Sequence, residues 1–154
     1  MRATVMYGAV PVSFALAMLS GGSQARDRDR LIGGWRLASL EEPDADGKLQ
    51  RVDGTGMLVF TRDGHMSVQV VYRSPQAGPG AGPVQYAQGG YEASFGRFDV
   101  DERAHTFTFH VEGALVRSLI GQDLTRVYEL SDKQLIVKPS SPNEHWRVVL
   151  EHYR

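Results

Sequence analysis

The feature that most constrains this chain is a two-residue alternation of apolar and polar side chains, repeated in short segments that each end in turn residues. In the stretch from His65 to Tyr72, Met66, Val68, Val70 and Tyr72 share one side, while His65, Ser67 and Gln69 share the other. In the stretch from His105 to Glu112, Phe107, Phe109 and Val111 oppose Thr106, Thr108, His110 and Glu112. Successive side chains of a strand point to opposite faces, so this period marks half-buried β-strands. Strands are expected at Trp35–Glu41, Gly56–Arg62, His65–Arg73, Tyr91–Asp99, His105–Glu112, Asp123–Leu130, Gln134–Lys138 and Glu144–Tyr153, with a weaker one at Lys48–Val52. Asp44-Ala45-Asp46-Gly47 and Arg62-Asp63-Gly64 supply Asp and Gly where tight reversals need them. Asp99–Arg103 and Ser131–Lys133 do the same less sharply. No stretch after Leu40 sustains a helical period. Evenly spaced strands joined by hairpin turns form a meander, and a meander buries its apolar faces by closing into a barrel or folding into a sandwich.

At 154 residues the chain is long enough for one domain with a real core. Its first part does not share the strand pattern. Arg2 supplies a positive charge, Val5 to Leu19 is mostly apolar, and Ser23-Gln24-Ala25 has the small-x-small form of a signal-peptidase site. This pattern predicts a secretory signal over residues 1–25, cleaved after Ala25, and a mature domain over 26–154 with no stable membrane span. The mature chain would open on Arg26-Asp27-Arg28-Asp29-Arg30, a polar lead-in or short helix. There is no cysteine, which excludes disulfides, thiolate chemistry and Cys-bound zinc. A cysteine-free secreted chain fits a periplasmic or extracellular setting. The formal net charge of -1 lacks the basic footprint that phosphate backbones require, so nucleic acid is not an expected partner. One segment, from Ser74 to Pro83, is rich in Pro and Gly. It reads either as a surface loop or as a lid over one barrel mouth.

Leu31-Ile32-Gly33-Gly34-Trp35-Arg36-Leu37 places a Gly-x-Trp at the start of the first strand. It resembles the first-strand motif of lipocalins, in which the Trp plugs the closed end of the barrel. Gly56–Ser67, Phe95–Asp101, His110–Leu115 and Gly121–Arg126 come next, in the order seen in the bacterial and fungal lipocalin-like domain family. The resemblance spans essentially Leu31 to the C-terminus. It implies an all-β, antiparallel up-and-down barrel of the lipocalin-like, calycin type. The sequence departs from such relatives at Phe109, where two adjacent His are frequent, at Val116–Ile120, and in the shortened segment before Tyr91.

Candidate site residues come from strand faces. His110 and Glu112 point the same way. If that side is the lumen they form an acid–base pair; otherwise they belong to an outer polar face over a Phe-packed core. Arg126 shares a face with Leu124, Tyr128 and Leu130, and Arg97 shares one with Tyr91, Ala93 and Phe95. A charge on an apolar face must be paired or functional. Arg126 has three candidate roles: pairing with Glu112, binding a ligand carboxylate, or covering Trp35. The expected ligand-binding set is therefore Arg126, Arg97, His110, Glu112, Ser67 and Tyr128. The five His show no metal-ligand spacing, and no phosphate-loop, dinucleotide or nucleophile-elbow motif is present, so neither metal nor cofactor is expected. Three functions remain open. The chain is a secreted or periplasmic binder of a small apolar or amphipathic molecule, an isomerase- or cyclase-type enzyme using His110 and Glu112 in the lumen, or a structural and interaction module with a filled barrel.

Overall fold

In the computed structural model, which describes residues 26–73 and 83–153, a one-turn helix and nine strands succeed one another. Helix α1 is Asp27–Leu31. The strands are β1 Gly33–Pro43, β2 Leu49–Val52, β3 Gly54–Phe60, β4 His65–Tyr72, β5 Tyr91–Asp101, β6 Thr106–Ala114, β7 Asp123–Leu130, β8 Gln134–Pro139 and β9 Arg147–His152. The expected signal, residues 1–25, lies outside the described residues. So does the proline- and glycine-rich segment up to residue 82; from Pro83 a single 3₁₀ turn, Pro83–Tyr86, leads toward β5.

Each strand pairs antiparallel with its neighbour, and β1 pairs with β9 to close the sheet. β3 runs along Gly33–Arg36 and β2 along Leu40–Pro43, so these two share one edge of β1 and together make one wall. The result is a closed, eight-stranded, antiparallel barrel. Closure leaves no long free edge, and eight strands enclose a lumen just wide enough for side chains or one small ligand.

The strand positions track the alternation closely, and the differences have local causes. β6 begins at Thr106 because His105 takes a left-handed backbone conformation, φ 51, in the preceding turn. β9 begins at Arg147 because the residues around Pro142 turn back, the Glu144 amide donating to the Ser141 carbonyl. The turn before β4 is closed by Gly64 at φ 89, a conformation that only glycine adopts without strain.

β5 and β6 change register between Phe95 and Gly96, where Glu112 is the extra residue of a bulge. A methyl group at Gly96 would lie 1.9 Å from the His110 carbonyl oxygen and 2.9 Å from the Glu112 nitrogen. Both are backbone atoms of the partner strand, so nothing flexible can yield. Gly96→Ala is expected to cost about 3 kcal/mol, combining steric strain with lost ladder hydrogen bonds. Urea unfolding checks this; a loss under about 1 kcal/mol would mean the strands can separate at low cost.

α1 plugs one end. Leu31 is fully buried there, and the polar residues of the helix tie down the hairpin turns around the rim. Tyr128 donates its hydroxyl to Asp27 at 2.9 Å, the Arg28 amide donates to Glu102, the Arg28 side chain to the Arg62 carbonyl, and Arg30 pairs with Asp132. The other end carries the turns between β1 and β2, β6 and β7, and β8 and β9, together with the Pro83–Tyr86 turn.

Candidate functional site

The two halves of the lumen differ. The half under α1 is packed solid with aromatics. Phe60 meets Phe98 and Phe107 edge-on at 5.1 and 5.6 Å, and Trp35 meets the His152 ring at 4.6 Å. The Trp35 indole donates to the Leu31 carbonyl at 2.8 Å, satisfying its one polar atom. The other half holds a cavity of about 70 Å³ with apolar walls that include Leu58, Met66, Val68, Phe107, Leu124 and Val137. Tyr72, Glu92, Ser94 and Arg126 bring the polar groups, and Tyr86, Leu119 and Trp146 stand at the mouth. At roughly 10–15 Å³ per water centre and about 30 Å³ of liquid volume per water, this space suits a molecule of about ten heavy atoms.

Arg126 is buried, and its guanidinium carbon lies 5.0 Å from the Tyr86 centroid and 5.1 Å from the Trp146 centroid. Both contacts are within cation–π reach. Its donors are less fully used. Among the described residues its hydrogen bond goes to the Thr125 carbonyl at 3.3 Å, and the nearest carboxylate oxygen, Glu144 Oε1, is 3.9 Å away. The other oxygen of Glu144 accepts from the Tyr86 hydroxyl at 2.6 Å, the Trp146 indole at 2.9 Å and Gln85 at 3.3 Å. Glu144 therefore pins the two aromatic lids and carries the charge that balances Arg126.

Glu92 and Tyr72 complete the polar set. Glu92 faces Val70 across the β4–β5 ladder, and Tyr72 is the next inward residue on β4. Desolvation in the lumen pushes the Glu92 carboxyl up to about 7, against the opposing pull of the Arg126 charge. Tyr72 is buried, and its hydroxyl has no hydrogen-bond partner among the described residues. Burial, together with the nearby Glu92 and Glu42 carboxyls, pushes its ionisation far above the usual range, so it is a neutral donor.

The expected site residues separate cleanly by face. Arg126 lines the cavity, but its acidic neighbour is Glu144 rather than Glu112. Tyr128 points inward at the plugged end, where its hydroxyl is bound to Asp27; it belongs to the packing under α1 and does not line the cavity. Arg97, His110, Glu112 and Ser67 are corrected to the outside of the barrel. On β6 it is Phe107, Phe109 and Val111 that are buried, which turns His110 and Glu112 outward. Arg97 donates to Glu112 at 3.0 Å on that outer surface. His110 lies between Asp123 at 2.7 Å and Asp99 at 2.9 Å, and these two hydrogen bonds raise its affinity for a proton. Ser67 stands on the outer side of β4, beside a shallow depression bordered by the exposed side chains of Phe95, Leu115 and Ile120.

Alternation along the chain does not single out Glu92 and Tyr72. β5 looks more apolar on the face of Tyr91, Ala93 and Phe95, yet that face is outside and Phe95 is 58% exposed. The signal lies in the neighbouring strand. Residues opposite each other in a ladder share a face, and the apolar row Met66, Val68 and Val70 pairs with Gly96, Ser94 and Glu92.

The sequence profile of the lipocalin-like domain family matches residues 32–149, from the start of β1 into β9. The chain belongs to the lipocalin-like domain family. Among solved structures it is similar to a redesigned β-barrel, at 14% identity and a TM-score of 0.47, covering 86% of this chain and 99% of that one. No curated protein matches the sequence. This lipocalin-like barrel holds no group of His, Cys, Asp and Glu able to bind a metal among its described residues, and none of the described helices is long and apolar enough to cross a membrane.

Proposed function

We propose that this lipocalin-like protein binds a small amphipathic molecule inside its barrel, apolar body toward Met66, Phe107 and Val137 and polar head toward Arg126. The observation that carries the reading is the half-filled lumen. One half is packed with aromatics, while the other keeps an apolar cavity of about 70 Å³ into which Arg126, Glu92 and Tyr72 converge. A pocket with apolar walls and a few placed polar groups is the usual form of a small-molecule site. The family membership supports the same reading. The protein is further proposed to act outside the cytoplasm, as the apolar segment and small-residue site over residues 1–25 indicate.

Native mass spectrometry of the protein purified from its own host tests both statements. The expected spectrum is a chain beginning at Arg26 that carries an extra mass of roughly 150 Da, for about ten heavy atoms, released on denaturation. Val68→Phe, which fills the cavity, should abolish the extra mass while the barrel stays folded. A bound mass that survives Val68→Phe would place the ligand outside the lumen. A chain beginning at Met1 would remove the proposal of secretion.

A further inference from the structure

The polar groups of the lumen discriminate between chemical classes of ligand, a discrimination that rests on the lumen being the binding site. Three polar groups line the cavity, and among the described residues the Tyr72 hydroxyl is the buried side-chain atom left without a hydrogen bond. Arg126 lies over the rings of Tyr86 and Trp146, and its donors meet the Thr125 carbonyl at 3.3 Å, the Tyr86 hydroxyl and a Glu144 carboxylate oxygen 3.9 Å away, so its closest carboxylate contact is long. The Tyr72 hydroxyl is buried and unpartnered. The Glu92 carboxyl lines the same cavity with no hydrogen bond among the described residues. A buried donor without an acceptor is costly, more so when charged, so the site favours whatever supplies acceptors.

We propose that the lumen takes a small organic acid, whose carboxylate is received by Arg126 and Tyr72 and by Glu92 in its protonated form, so that one proton is taken up with each ligand.

The proton uptake is a consequence of the charges around the cavity. The charge acting on Glu92 is Arg126 on β7; Tyr72 on β4 feels both Glu92 and Glu42, and Tyr86 and Glu144 stand around the guanidinium. Glu144 accepts three hydrogen bonds on one oxygen and already offsets Arg126. A ligand carboxylate placed between Arg126 and an ionised Glu92 would set two anions side by side in an apolar space. Protonating Glu92 removes that repulsion and turns an acceptor into a third donor. The carboxyl, at about 7, does this near neutral pH with little cost. An amine is disfavoured by the same geometry. It would face the fixed Arg126 cation and leave the guanidinium edge and the Tyr72 hydroxyl without acceptors.

The probes are octanoate, 1-octanol and octylamine, which match the cavity in size and differ only in the head. Each is titrated calorimetrically into the protein at pH 6 and pH 9, with circular dichroism confirming the fold at both. Octanoate is expected to bind more tightly than 1-octanol at pH 6 and to weaken roughly 100-fold by pH 9, tenfold for each unit above 7. Titrations at pH 8 in two buffers of different ionisation enthalpy should show uptake of about one proton. Glu92→Gln keeps a donor without a charge, so its octanoate affinity should be the same at pH 6 and pH 9. Tyr72→Phe should weaken octanoate at least about tenfold while keeping the wild-type pH slope. Octylamine binding more tightly than octanoate, or octanoate binding independent of pH in the wild type, overturns the inference. If 1-octanol binds and octanoate does not, the acid is wrong but the lumen site stands. If none of the three binds at pH 6, both fall.

Discussion

Glu92→Gln is expected to stabilise the folded barrel by about 2 to 3 kcal/mol at pH 8 and to leave it nearly unchanged at pH 4. The carboxyl is lifted in the folded protein from its usual 4.5 to about 7 by desolvation, with Arg126 only partly offsetting it. A raised acid binds its proton more tightly folded than unfolded. Stability is therefore greatest below about pH 4.5, is lost as pH rises from there to about 7, and levels off above. A displacement of this size corresponds to about 3 kcal/mol, and water entering the mouth lowers the figure somewhat. Glutamine has the same shape and no charge to desolvate, so the variant should show a flatter stability profile across this window. His110 acts in the same direction over a higher range. Its proton affinity is raised by Asp123 and Asp99, so its contribution is full below about 6.5 and is lost as pH rises through its folded value. Urea unfolding at pH 4, 6 and 8 separates the two, because the Glu92→Gln variant keeps the His110 part. Equal stability of variant and wild type at pH 8 would show that the Glu92 carboxyl is solvated and that the lumen does not strain it. Together with the ligand titrations, such a result would also weaken the case for a proton-linked site.

Trp35→Ala is expected to cost about 3 to 5 kcal/mol, the usual range for truncating a fully buried indole. Trp35 is 1% exposed, caps the aromatic half of the lumen, donates to the Leu31 carbonyl and packs edge-on against His152. Its loss removes apolar contact from three sides and the anchor that holds α1 over the barrel end. Since domains of this size have about 5–15 kcal/mol of stability in total, the variant should unfold at much lower urea, with a barrel end that exchanges amide protons faster. Trp35→Phe refills most of the volume and loses chiefly the indole hydrogen bond, so it should cost about 1–2 kcal/mol. A loss below about 1 kcal/mol for Trp35→Ala would mean that the plug is held by the salt links of α1 to the rim and not by burial of the Trp.

These two residues, at opposite ends of the lumen, have opposite roles. Trp35 is a residue whose burial stabilises the barrel. Glu92 is one whose desolvation works against the fold above neutral pH, and a group of that kind in a cavity is a candidate for the proposed site. The polar cluster around it is unlike the plugged end in one further respect. At the plugged end the Trp35 indole, the Tyr128 hydroxyl and the Asp27 carboxylate all have partners. In the cavity half the Tyr72 hydroxyl has none. The lumen is thus divided between a sealed half and a half with an apolar cavity and an unsatisfied hydroxyl.

The order and spacing of the strands were determined by the sequence alone, because alternation and turn chemistry are local. The period-two runs locate β4 and β6, the Asp-Gly turn at Asp63-Gly64 separates β3 from β4, and β7 spans Asp123–Leu130 as the pattern predicts. The plug by Trp35 was legible through the resemblance of Gly33-Gly34-Trp35 to the lipocalin first-strand motif. The side of each strand that faces the lumen was decided only by tertiary structure. Alternation sorts side chains into two sets and is silent on which set is inside when both carry mixed chemistry. On β6 the Phe row decided it, sending His110 and Glu112 out. On β5 the inward set is Glu92, Ser94, Gly96 and Phe98, chosen by its pairing with the apolar row of β4 and not by its own hydrophobicity. Arg126 was visible as a charge on an apolar face, but its partner was not. Glu144 reaches it from the loop before β9, which leaves β8 at Pro139, the ladder partner of Arg126. The polar cavity is thus a product of strand register and closure, which are long-range properties, written onto strands that are local ones.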